Sequence, residues 1–125
     1  MAQSMSAPTQ VVLGTATPGG GFPAYGAAFI DTIQEFEPAL AIEARNTKGS
    51  TENAPLVEAG KLDMAQVTGE VTYEAIAGIG QPPAKNIRIV NAMYSQSGMF
   101  IVRADSPYKT IADLKGKTIA WGAKG

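Results

Sequence analysis

Short apolar runs alternate with amphipathic stretches along most of this chain. Gln10-Val11-Val12-Leu13-Gly14 is an apolar run closed by glycine and reads as a buried strand. A loop from Thr15 to Pro23 follows. From Ala24 a helix is predicted, because Tyr25, Ala28, Phe29, Thr32, Ile33 and Phe36 recur at i, i+3, i+4, i+7, i+8 and i+11 and so share one face. Pro38 stops it. Ala39 to Ala44 suits a second strand, although its alanines leave propensity ambiguous. After the loop Asn46 to Thr51, a second helix is expected over about Glu52 to Ala59, with Pro55 early and Gly60 as its stop. Met64 to Val67 is a short third strand. Thr68 can cap a third helix carrying Val71, Ala75 and Ile76.

Beyond the loop around Pro82 and Pro83, Ile87 to Met93 and Gly98 to Arg103 read as two more strands. The turn Tyr94 to Ser97 allows them to pair antiparallel. Thr110 to Leu114 is a one-turn helix, and Lys117 to Trp121 a last strand with Trp121 in a core. The order β-α-β-α-β-α-β-β, then a crossover and β, predicts an α/β fold: a mostly parallel sheet with helices on both faces. Ligands in such sheets bind beyond the carboxyl ends of the strands.

Composition narrows the chemistry. The chain has 125 residues, of which 45% are hydrophobic and 17% charged; this is the balance of a globular domain. Net charge is −1, from 10 basic and 11 acidic residues, with no basic block. No nucleic-acid partner is therefore expected. The chain has no His and no Cys, which removes thiol chemistry, histidine bases and the usual zinc sites. Asp and Glu show no spacing that pairs two carboxylates as acid and base. Catalysis, metals and cofactors are not expected. No apolar run approaches the roughly 20 residues of a membrane helix. The first ten residues are small and polar, which leaves open a cytoplasmic protein or the mature part of an exported one. The final Gly122-Ala123-Lys124-Gly125 reads as a loop with another element due after it, so the chain is read as a piece of a longer protein.

Three loops leave the carboxyl ends of predicted strands and enter helix N-termini, where free N–H groups and the helix dipole favour an anion. The first offers Thr17, Gly19, Gly20, Gly21 and Phe22, with Tyr25 just inside the helix. The second offers Thr47, Ser50 and Asn53. The third offers Gln66 and Thr68. Backbone N–H groups of the three glycines and the hydroxyls and amides of the others would form a neutral, hydrogen-bonding site for a carboxylate. Phe22 and Tyr25 would wall it, although Tyr25 also starts the apolar stripe of its helix. Each feature has a plainer explanation in turns and caps. The G-x-x-x-x-G-K-[ST] and G-x-G-x-x-G fingerprints are absent after Leu13, so a nucleotide is not the expected ligand.

The run Val12 to Gly26, with Gly19-Gly20-Gly21-Phe22-Pro23-Ala24-Tyr25, resembles the N-terminal signature of TAXI proteins. These are the solute receptors of one branch of the tripartite ATP-independent periplasmic (TRAP) transporters. The resemblance continues through Gly49-Ser50-Thr51-Glu52-Asn53, through Glu58 to Val67, and through Ile111 to Gly122. It implies a type II periplasmic-binding-protein lobe, truncated before the second lobe. Residues 1–9 would be a flexible start, 10–104 the first ligand-binding lobe, and 105–125 the crossover and first strand of the second. It also implies a periplasmic receptor that hands a small organic or amino acid, a carboxylate, to TRAP membrane subunits. Such a lobe is expected to self-associate through its unpaired last strand. An ABC-type binding protein or a sensor domain of the same fold stays open. An enzyme lobe is disfavoured by the lack of His and Cys.

Overall fold

A computed structural model describes residues 7–95 and 98–120. It divides the chain into a first unit ending at Arg88 and a second beginning at Ile89.

The first unit alternates strand and helix: β1 (Thr9–Gly14), α1 (Gly21–Phe36), β2 (Leu40–Arg45), α2 (Ser50–Glu58), β3 (Met64–Ala65) and α3 (Gly69–Ala77). The three strands form one sheet in the order β2-β1-β3. Both pairings are parallel, from Thr9↔Leu40 to Gly14↔Arg45 on one side and Leu13↔Met64, Gly14↔Ala65 on the other. This is the predicted α/β architecture, a parallel sheet flanked by helices. α1 carries the chain from β1 to its neighbour β2, and α2 carries it from β2 past β1 to β3, crossovers of the kind parallel strands need. The core is small: Leu13, Ile42, Ala54, Leu62 and Ala75 are its buried apolar residues. At the lower end of β3 the ladder is replaced by a side chain, because the Val12 N–H donates to Asp63 Oδ2 at 2.8 Å.

Two helices begin earlier than their apolar patterns suggest. α1 starts at Gly21 rather than Ala24, because Pro23 falls in the first turn, where its missing N–H has no helical partner to lose. The apolar stripe is also rotated. Gly26 is the buried residue of α1, and Phe36 at the end of the predicted stripe is 77% exposed. A Cβ at Gly26 would lie 3.1 Å from Thr15 Cγ2, so the missing side chain is what lets the helix sit close over the end of β1. α2 starts at Ser50. Pro55 then lies past the first turn, and the Thr51 carbonyl loses its helical donor. Thr51 is exposed, so water can take that bond.

α3 ends on Gly78 in the left-handed region, at φ 74. A Cβ there would come within 2.5 Å of Pro83 Cγ, so the turn and the following proline both demand glycine. The segment after Pro83 is held by Glu58 at the end of α2. Its carboxylate accepts the Lys85 N–H at 3.0 Å and the Asn86 N–H at 2.9 Å. The Lys85 N–H, then that of Asn86, keeps the Glu58 carboxyl below its ordinary range.

The second unit differs from expectation. Neither Ile89–Met93 nor Gly98–Arg103 is a strand, so the predicted antiparallel pair is not formed among the described residues. Ile87 and Arg88, at the end of the first unit, are not strand either. These runs have β-forming residues, but no ladder forms on them among the described residues, and β-propensity expresses itself only against a neighbour. The one-turn helix is present as a 3-10 turn, Ile111–Leu114. Asp113 Oδ2 accepts the N–H groups of Lys109 and Thr110 at 2.8 Å each, and they hold its carboxyl below the usual range. Lys117 to Ala120 are not strand. Trp121 and the loop Gly122 to Gly125 lie outside the described residues, as do Gln96 and Ser97 of the predicted turn and residues 1–6 of the predicted flexible start.

Candidate functional site

Parallel pairing on both sides of β1 puts the carboxyl ends of all three strands on one edge of the sheet. The loops that leave them are joined by side chains. Thr47 Oγ1 donates to Thr15 O at 3.1 Å and accepts the Gly49 N–H at 3.1 Å. This ties the second loop to the first. Gly49 has φ 103, a conformation that a side chain would strain. The Thr68 N–H donates to Ser50 Oγ at 3.0 Å, which ties the third loop to the start of α2.

Behind this edge lies a buried polar layer. Thr15 and Asn53 are 0% exposed and Gln66 is 4% exposed. The Thr15 hydroxyl points to Arg45 O at 3.2 Å, with Asn46 Oδ1 at 3.3 Å. Asn53 Nδ2 donates to Thr15 O at 2.7 Å and Gln66 O at 2.8 Å, with Gly14 O at 3.5 Å. These bonds offset the cost of burying polar groups.

α1, α2 and α3 begin at this edge, and none has a side-chain hydrogen bond at its N-cap, which is Gly20, Gly49 and Thr68 respectively. Their electrostatics differ. α2 and α3 carry Glu52 and Glu70 in their first turns, whereas α1 carries no acidic residue there. Glu52 Oε2 also accepts the Lys48 N–H at 2.6 Å. The positive pole is therefore least compensated at α1. The N–H groups of Gly21 and Phe22, in its first turn, have no hydrogen-bond partner among the described residues.

Of the residues singled out from sequence, Thr17, Gly19, Gly20 and Gly21 are exposed on the first loop and the start of α1. Phe22 and Tyr25 are half-buried on the first turns of that helix. Thr47, Ser50 and Thr68 are half-buried and engaged in the loop-to-loop bonds above. Asn53 and Gln66 belong to the buried layer. Sequence reasoning passed over Gly14 and Gly26, and named Thr15 only as the start of the first loop. A Cβ at Gly14 would fall 2.5 Å from Leu62 Cδ1 and 3.0 Å from Asn53 Oδ1. Gly26 had a signal: glycine inside a helical stripe costs about 0.5–1 kcal/mol and invites a packing explanation. No helix among the described residues is long and apolar enough to cross a membrane, and no metal-binding cluster of carboxylates is found among them.

Residues 13–125 match the NMT1-like family. It is a periplasmic-binding-protein-like family, substrate-binding and in general non-enzymatic, whose members are typically extracytoplasmic. The match begins inside β1 and takes in every loop of the edge just described, so the chain belongs to the NMT1-like family, with a solute-binding function in the broad sense.

Proposed function

We propose that this chain is a periplasmic receptor for a small carboxylate-bearing solute, an organic or amino acid, delivered to TRAP membrane subunits. The observation that carries the ligand class is the set of helix N-termini without side-chain caps at one sheet edge. Among them α1 is the preferred pole, because its first turn lacks an acidic residue. Gly19, Gly20, Gly21 and the Phe22 backbone would meet the carboxylate. Thr17, Thr47, Ser50 and Thr68 would line the polar side, and Phe22 and Tyr25 the apolar side. A helix N-terminus favours an anion by roughly 0.3–1 kcal/mol, and up to ~2 where partly buried. Charge-assisted hydrogen bonds add ~1.5–3 kcal/mol each. Together these hold a carboxylate without a dedicated arginine. The TAXI resemblance of Gly19 to Tyr25 and of Gly49 to Asn53 supports the transporter assignment.

Gly20→Asp tests the pole. Gly20 has extended backbone, φ −82 and ψ 171, which suits an aspartate cap. The new carboxylate would occupy the N-terminus of α1, raising stability by a few tenths of a kcal/mol and abolishing calorimetric binding of succinate or glycine. Stability up with affinity unchanged would remove α1 from the site. Binding of ATP in preference to the carboxylates would overturn the ligand class.

A further inference from the structure

Resting on the solute-binding reading, we infer that Asn53 is a positioning residue, a buried clamp that sets the third loop against the first. It acts on a ligand at the sheet edge only through those loops. The backbone ladder between β1 and β3 is short: Leu13↔Met64, Gly14↔Ala65, and the Gln66 N–H donating to Gly14 O at 2.9 Å. Past Gly14 no further backbone rung joins β1 to β3 among the described residues, and the Thr15 N–H donates to Arg45 O, on the β2 side. The two hydrogens on Asn53 Nδ2 span this gap, one to Thr15 O and one to Gln66 O. A side chain carried by α2 thus supplies the rung that the strands lack.

The amide is held by its nitrogen end. Asn53 Oδ1 is buried and has no hydrogen-bond partner among the described residues. It lies 3.0 Å from where a Cβ on Gly14 would be, so glycine at position 14 leaves room for it. The clamp needs a donor of this size at this point. Leucine would keep the branched shape without the donor, and aspartate would place an acceptor against carbonyl oxygens.

Amide hydrogen exchange on the 15N-labelled chain tests this. In the wild-type protein the Asn53 side-chain amide protons exchange slowly; exchange at the rate of a free amide overturns the clamp, whether or not any variant folds. In Asn53→Leu the Gln66 and Thr68 N–H groups lose protection by about tenfold or more, while β1–β2 ladder amides change by less than about twofold. Asn53→Asp loosens the same two amides. Equal loss along the β1–β2 ladder, or no loss at Gln66 and Thr68, overturns the inference. Succinate and glycine serve as ligand probes: Asn53→Leu weakens them about tenfold, and unchanged affinity overturns the effect on ligand. Wild-type protein that binds neither probe overturns the carboxylate reading alone, because the exchange measurements need no ligand.

Discussion

The two units treat the same kind of sequence differently. Val11-Val12-Leu13 in the first and Met99-Phe100-Ile101-Val102 in the second are both short, uncharged, β-forming runs. The first is the centre of a parallel sheet. The second is not strand, and its residues are exposed, with Ile101 at 89%. What separates them is the connection. In the first unit α1 returns the chain from β1 to β2 and α2 from β2 to β3, and both arriving strands pair with β1, so ladder partners are supplied. Among the described residues of the second unit, the only regular element is the 3-10 turn at Ile111–Leu114. An apolar run is thus a strand only conditionally, and the condition is a neighbour.

The sharpest way to break this contrast is to truncate one residue in each run. Leu13→Ala, at a position 3% exposed, is expected to cost about 2–5 kcal/mol in urea unfolding. Ile101→Ala is expected to stay within about 0.5 kcal/mol. Similar losses at both positions would show that the second run is packed in solution. Next in size is Gly78→Ala, which combines a left-handed backbone with the Pro83 ring at 2.5 Å. The backbone alone costs roughly 1–2 kcal/mol, and the thermal midpoint should fall accordingly. Ser50→Ala removes the acceptor of the Thr68 N–H and should lower stability by about 1 kcal/mol, while leaving the second unit's amide spectrum unchanged.

The smallest effect is on pH. The folded Glu58 carboxyl titrates below its ordinary value of 4.5 because it accepts the Lys85 and Asn86 N–H groups. Its contribution is full above the unfolded value and is lost as pH falls from there through the folded one. Glu58→Gln should flatten the acid side of the stability curve below about pH 4.5, in a chemical-denaturation series. A curve identical to wild type would mean that Glu58 does not hold the segment after Pro83.

Much of the first unit was legible because its signals are local. The order of strands and helices, Thr68 before α3 and Pro38 after α1 follow from neighbours a few residues apart. The start of α1 was not, because Gly-Gly-Phe-Pro reads as a loop until the first turn is seen to tolerate both glycine and proline. The loops of the candidate site were legible in residue type but not in partner. Asn53 reaches a carbonyl 38 positions away at Thr15 and another 13 away at Gln66. Every residue carries a backbone carbonyl, so no side-chain pattern marks these two as acceptors. The division between exposed Thr17 or Gly20 and buried Asn53 is likewise a property of packing. The strand pair predicted between Ile87 and Arg103 failed for the opposite reason: the local pattern was clear, and no ladder forms on it among the described residues.

The Asp63 carboxylate on the Val12 N–H has a consequence for the solution behaviour of the sheet. β3 is only two residues long, so the flank of β1 before Leu13 would otherwise offer a bare donor to any extended peptide that reached it. An ionised oxygen there occupies the donor and brings a hydrated charge to the place where an intruding backbone would have to lie. A foreign strand would need to displace the charge and strip its water before gaining a single bond. One acidic side chain thus works as a guard against templated misassembly on the flank of the central strand that β3 does not reach.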